Sequence, residues 1–315
     1  MRINKRALVC CVNILEFIMV ESRDTRPATD AAFVTFTNGK AKNNAESLCN
    51  WIQQNNIKRS QIISLTMNET ECEEGDQLLT VFYRKAPIAQ DELDFEDLKF
   101  EHFNQNHSWT KLLTEADSKR RGVDVVSLTQ SPKNIGGSQN QFLWYARGSN
   151  ASGTPSFKTI SRADGNWKEL IEVDLKDWLN KFVPPHMLIS ISLYHDSHPE
   201  APEDDGSVGP NPVNVCIAHT AGTTPQDLTG NEAVKDAPIY ELSLVQGTGE
   251  WDDMFAQALE KVNEKGGQEG HCVASANDCS NDGGVILVLS WNSLVEGNLR
   301  ETVRPATCME QCSIF

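Results

Sequence analysis

Four times along this chain an alternating apolar run is followed by a helix-period stripe and then by two more apolar runs. That recurrence limits the fold more than any single motif does. The first copy is the clearest. Phe33-Val34-Thr35-Phe36 alternates with period two and breaks at Asn38-Gly39, a turn dipeptide. Ala45, Leu48, Cys49 and Ile52 then fall at i, i+3, i+4 and i+7, one face of a helix. Residues 62–67 and 78–83 supply two strands, joined by a polar loop over residues 68–77.

The second copy opens at residues 98–103. Ser108 is a candidate N-cap ahead of Trp109, Leu112, Leu113 and Ala116, and the strands fall at 125–128 and 142–145. The third opens at 157–160, carries Ile171, Leu175, Trp178, Leu179 and Phe182 on one helix face, and stops at Pro184-Pro185. Its strands, 188–193 and 213–218, flank a long acidic loop. The fourth opens at 239–244 and has the cleanest stripe, Trp251, Met254, Phe255, Ala258, Leu259 and Val262. It continues through a weak strand at 271–276 to a strong one at 285–289. The last strand of each copy is a continuous apolar run, which suits the buried centre of a sheet. Trp109, Trp167 and Trp251 near the helix starts read as plugs between helix and sheet.

The expected fold is therefore α+β: four tandem βαββ repeats, antiparallel sheets with helices packed on one face, and the copies paired as two pseudo-dimers. Pairing the first copy with the second and the third with the fourth would give six-stranded sheets, and closure of all four into a ring is the alternative. The expected divisions are an apolar N-terminal arm or leader over 1–30, repeats over 31–90, 91–150, 151–225 and 226–295, and a C-terminal tail over 296–315. The topology is similar to that of the small oligomerising βαββ domains such as dodecins, without a shared motif.

At 315 residues the chain can bury more than one core. A net charge of -16 opposes a nucleic-acid surface, which needs clustered Lys and Arg. The nine cysteines are scattered and form no CxxC pair, which favours a reducing compartment. The two ends point to different locations. Residues 7–20 are largely apolar behind Arg2, Lys5 and Arg6, interrupted by Asn13 and Glu16. They read as a signal peptide, as residues upstream of a true start at Met19, or as a packing arm. Cys312-Ser313-Ile314-Phe315 fits a prenylation box, with Cys308 a second lipid site; the alternative is a plain tail. The expectation is a cytoplasmic protein, held at a membrane only if that tail is lipidated, and a secreted one if the leader is cleaved. Sequons at Asn68, Asn106 and Asn150 do not decide between these.

Candidate chemistry is sparse. His195, Asp196 and His198 could ligate a divalent metal, set against a solvated Pro- and Asp-rich loop. Residues 278–284 resemble half a calcium loop but read better as a hairpin turn. Cys216 and His219 invite a nucleophile reading that their placement on one strand does not support. Tyr83 and Arg84, and Tyr145 and Arg147, recur at one strand end, either as a partner or anion contact or as snorkelling side chains. Nucleotide, hydrolase and zinc-protease motifs are missing from the sequence. The leading expectation is a non-enzymatic structural or interaction protein that binds itself or another protein, with no cofactor. A small-ligand module and a loop-based metal-dependent enzyme are the alternatives.

Overall fold

The computed structural model describes residues 31–37, 40–70, 76–85, 98–103, 123–130, 141–147, 155–195, 212–220, 228, 239–264, 269–278 and 283–292. Within these residues the fold is α+β, and the strands form four separate three-stranded antiparallel sheets. Sheet one holds β1 (Ala31–Phe36), β2 (Ile62–Glu69) and β3 (Gln77–Arg84). Sheet two holds β4 (Lys99–Phe103), β5 (Val123–Gln130) and β6 (Gln141–Arg147). Sheet three holds β7 (Pro155–Arg162), β8 (Leu188–His195) and β9 (Val213–Thr220). Sheet four holds β10 (Tyr240–Gly247), β11 (Glu269–Asp278) and β12 (Gly283–Asn292).

In every sheet the strand order is first, third, second. The third strand is central because it is apolar on both faces: Leu79, Val81 and Phe82 in β3, and Val285 to Leu289 in β12, are buried. A hairpin then places the second strand on one side, and the first strand takes the other.

The helices are α1 (Ala41–Gln54), α2 and α3 (Trp251–Glu264). α2 has three parts: α-helix over Trp167–Glu169, a π-helical stretch over Leu170–Leu175, and α-helix again over Lys176–Phe182. Asn166 caps its start through Oδ1, which accepts from Glu169 N at 3.1 Å. Val183 leaves the helix extended, and Pro184 cannot continue it. The expected helix behind Ser108 lies outside the described residues. Among those described, no helix is long and apolar enough to cross a membrane.

Each helix serves two sheets. α1 packs Ala45, Leu48 and Ile52 on Leu65, Leu79 and Val81 of sheet one, in a core shared with Val126, Phe142 and Trp144 of sheet two. α2 does the same between sheets three and four, with Leu170, Ile171, Leu175 and Leu179 among Ile191, Val215, Tyr240 and Leu287. α3 joins sheet four to sheet one, its Phe255, Ala258 and Leu259 clustering with Val288, Phe33 and Phe82. Sheets two and three meet through Leu128, Leu143, Cys216 and Ala218. The sheets thus follow one another around a closed ring, and both sheet faces are covered. Fully burying each large side chain contributes about 1.5–3 kcal/mol.

Two expectations change. Six-stranded sheets do not form. The inner edges β2, β5, β8 and β11 approach one another, β2 beside β11 and β5, and β8 beside β11 and β5, without joining a ladder. The helices are not confined to one face of paired sheets; they separate neighbouring sheets. A local correction concerns β11, which spans Glu269–Asp278 and forms an unbroken ten-residue ladder with β12.

Candidate functional site on the central axis

Edge strands taken out of water need partners for their outward N–H and C=O groups. On the axis these partners are side chains. Ser64 Oγ accepts from Val273 N at 2.8 Å, and Thr66 Oγ1 accepts from Ser275 N at 3.0 Å. Thr66 and Ser275 also share a hydroxyl hydrogen bond, and Asn68 bonds to Ser275 Oγ at 2.8 Å. Glu69 N donates to Asn277 Oδ1 at 3.0 Å. Glu69 O accepts from Asn277 Nδ2 at 2.8 Å and from Trp251 Nε1 at 2.9 Å. β2 and β11 therefore run parallel and in step, every second β2 side chain serving the β11 edge.

The β8–β5 junction repeats the device: Leu128 N donates to Ser190 Oγ at 3.2 Å, and Ser192 Oγ donates to Leu128 O. At β11–β8, Cys272 and Ile191 share one core. A shared irregularity sets this geometry up. The ladders skip one residue between Ile62 and Ser64, Val125 and Ser127, and Leu188 and Ser190, so a bulge precedes an equivalent serine in three sheets.

Thr66→Val keeps the side-chain shape and removes the acceptor, stranding the Ser275 N–H. The expected loss is about 1–3 kcal/mol in urea unfolding. A change within about 0.5 kcal/mol, as at an ordinary surface site, would show that the seam is not held by these bonds.

Two small voids on the axis are lined by described residues. One, of about 10 Å³, lies among Thr66, Thr129, Ser192 and Ser275, one residue from each inner strand. The other, of about 30 Å³, lies towards the start of these strands, where Arg59 stands by Ser64, Ser127 and Ser190. Arg59 belongs to a short 3-10 turn, Arg59–Gln61, that leads directly into β2.

The far end of β2 is different in character. Glu69 is 1% exposed, and no hydrogen-bond partner of its Oε2 is found among the described residues. Its Oε1 meets Gln77 Nε2 at 3.5 Å, directly across the β2–β3 ladder. Burial pushes its carboxyl up to about 7, against a small opposing effect of the Gln77 hydrogen bond. The Cys216 thiol, wholly buried, is pushed up to about 12, so it is no nucleophile at neutral pH. His219 lies on the same strand against Trp178, ring centres 5.6 Å apart, and burial lowers its pKa.

None of the described residues singled out from the sequence lines the axial voids. His195 ends β8, while Asp196 and His198 lie outside the described residues, as do Cys308 and Cys312. Among the described residues no cluster of His, Cys, Asp and Glu could hold a metal ion. Tyr83 packs edge-on to Trp51, ring centres 5.1 Å apart, and the Arg84 carbonyl accepts from Gln61 Nε2 at 2.9 Å. Tyr83 and Tyr145 hold equivalent ladder positions, opposite Ile62 and Val125, with Arg147 at the end of β6. Trp167 and Trp251 begin their helices, Trp167 buried and Trp251 half-buried, while Trp109 lies outside the described residues.

Sequence reasoning missed Glu69, Gln77 and the serine–threonine seam. The available signal was a serine at one fixed place in Ile62-Ile63-Ser64, Val125-Val126-Ser127 and Leu188-Ile189-Ser190. No protein-family model, curated protein or solved structure matches this chain.

Proposed function

We propose that this chain is a non-enzymatic interaction protein, four βαββ copies arranged as a ring scaffold that takes a further strand from a second copy or another protein at its outer sheet edges. The observation that carries this reading is the placement of the first strands. β1, β4, β7 and β10 each lie at the sheet edge opposite the axis, with no strand beyond them among the described residues; at β10 only the first amide, Tyr240 N, is shown bonded outside the sheet, to Asn180 Oδ1 at 3.0 Å. These edges are protected unequally. β7 carries Lys158 and Arg162 and β4 carries Lys99, charges that discourage edge pairing. β10, Tyr240–Gly247, has Glu241 as its sole charge, and its Leu242, Ser243 and Leu244 are half-buried. An extended segment hydrogen-bonded along β10 would be a β-augmentation.

Among the described residues, the axial voids, about 10 and 30 Å³, are of water size and too small for a drug-sized ligand. The buried free thiols of Cys216 and Cys272 accord with a reducing, cytoplasmic setting. Ser243→Lys places an ammonium on the β10 edge. Mass photometry across concentration, with partner capture from a cell extract, should show assembly or a bound partner for the unmodified chain and its loss in the variant. A monomer at every concentration, with no partner retained, would defeat the proposal.

A further inference from the structure

Glu69 and Gln77 face each other as the last pair of the β2–β3 ladder. We infer that they form a carboxylic acid–amide pair in which Glu69 Oε2 carries a proton and donates it to Gln77 Oε1. Loss of that proton is then a pH-sensitive switch on the seam between sheets one and four.

Two oxygens of the pair are left over. Gln77 Nε2 meets Glu69 Oε1 at 3.5 Å, while Glu69 Oε2 and Gln77 Oε1 have no hydrogen-bond partner among the described residues. The two residues are 1% and 6% exposed, so bulk water does not satisfy those oxygens. A planar carboxyl joined to a planar amide through Oε1 and Nε2 has its second oxygen at the corner beside the amide oxygen. One hydrogen there satisfies both oxygens at once. An ionised carboxylate satisfies neither and is a buried, unpaired charge.

Sheet two repeats the arrangement with a neutral side chain. Gln130 and Gln141 close its ladder in the same place, and they are 4% and 2% exposed. Gln141 Nε2 donates to Gln130 Oε1 at 3.2 Å, and Gln141 Oε1 is again without a partner among the described residues. Gln130 brings its own N–H where Glu69 has Oε2. Both sheets thus put side chains of one shape at one ladder position, and the acid matches the amide only when protonated. The pair in sheet two has no proton to lose, which confines the switch to sheet one.

Charged groups on the surrounding elements do not hold Glu69 ionised. Burial raises its pKa and the Gln77 hydrogen bond opposes this, with no part from Asp76 on β3, Lys42 on α1, Asp252 or Asp253 on α3, or Asp278 on β11. Asp278 is itself held by Gln246 Nε2, 2.9 Å from its Oδ2. The switch acts where the Glu69 backbone is bonded to the Asn277 side chain and to Trp251 Nε1. Once the proton passes to solvent, two bare acceptors meet across the ladder at the residue that ties sheet one to sheet four.

The test is NMR of the full chain, labelled with carbon-13 and nitrogen-15, from about pH 4 to 9 at fixed ionic strength. Glu69 Cδ should titrate with a midpoint of about 7 instead of the ordinary 4.5. The Gln77 side-chain N–H signals should shift with the same midpoint, and those of Gln141 should not. Assignment through bonded connectivities in the unmodified chain keeps this readout independent of any variant's folding. In Glu69→Gln the pH response of the Gln77 side chain should vanish. A Glu69 midpoint near 4.5, a Gln77 side chain that does not follow it, or one that still titrates in Glu69→Gln overturns the proposal. So does a midpoint that falls when calcium replaces sodium, since a cation would then stand in the proton's place.

Discussion

Replacing Phe255 with alanine should lower stability by about 3–5 kcal/mol, with the slope of urea unfolding unchanged. Phe255 on α3 is wholly buried. Its ring centre lies 5.7 Å from Phe33, 5.6 Å from Phe82 and 5.4 Å from Trp251. Phe33 and Phe82 belong to sheet one, near the other end of the chain, while Phe255 and Trp251 sit on the helix over sheet four. The void left by truncation is therefore walled by two sheets and a helix, each fixed by its own ladder or hydrogen bonds. Such a wall collapses poorly, which puts the cost towards the upper part of the range for large-to-small changes. Val173→Ala, at a position 47% exposed on α2, is the matched control and should change stability by less than about 0.5 kcal/mol. A loss below about 1 kcal/mol for Phe255→Ala would mean that sheets one and four do not share a core, and the ring would then be open at that junction.

That junction shows where sequence reasoning succeeds and where it stops. The helix stripes were legible because a 3.6-residue period marks the face that must be covered. Leu48 and Ile52, Ile171, Leu175 and Leu179, and Met254, Phe255 and Leu259 are all buried. The central third strands were legible from their unbroken apolar runs. The ring was not, because alternation in a strand marks two faces and says nothing about what lies against the second. Ser64 and Thr66 alternate with Ile63, Leu65 and Met67 along β2, and they are 8% and 4% exposed because β11 lies against them. Their partners are 209 residues away, beyond any local pattern.

β11 read weakly for a related reason. Its small residues, Ala274, Ser275 and Ala276, give little strand signal, but they allow an inner strand to approach both β2 and β8. Gly270 lowers the signal further. A Cβ there would fall 2.1 Å from Cε2 of Trp291, its ladder partner, so the glycine makes room for the indole. Glu69 and Gln77 were assigned to the polar loop that closes the hairpin. The ladder in fact extends to both, and the junction with sheet four buries them.

The stability contributed by Glu69 should therefore fall as pH rises through about 7. Its folded pKa is raised to about 7 from the ordinary 4.5, by burial first. Between those values the folded chain keeps a proton that the unfolded chain has released, so raising pH favours unfolding. At about 1.4 kcal/mol per pKa unit, the contribution present below pH 4.5 declines by up to about 3 kcal/mol by pH 8. Glu69→Gln retains the shape without the charge, so urea midpoints taken from pH 5 to 8 should decline less steeply for the variant, which should be the more stable of the two at pH 8. The loosening should also have a location. The Glu69 backbone is held by Trp251 Nε1 and by the Asn277 side chain, both from sheet four or its helix. Ionising the carboxyl beside them should weaken the β2–β11 contact before the rest of the ring. Hydrogen exchange at the Glu69 and Ser275 amides, compared at pH 6 and 8 after correction for intrinsic rates, should show protection lost there first. Parallel pH profiles for the two proteins would place the Glu69 proton outside the folding equilibrium, and uniform loss of protection would detach it from the junction.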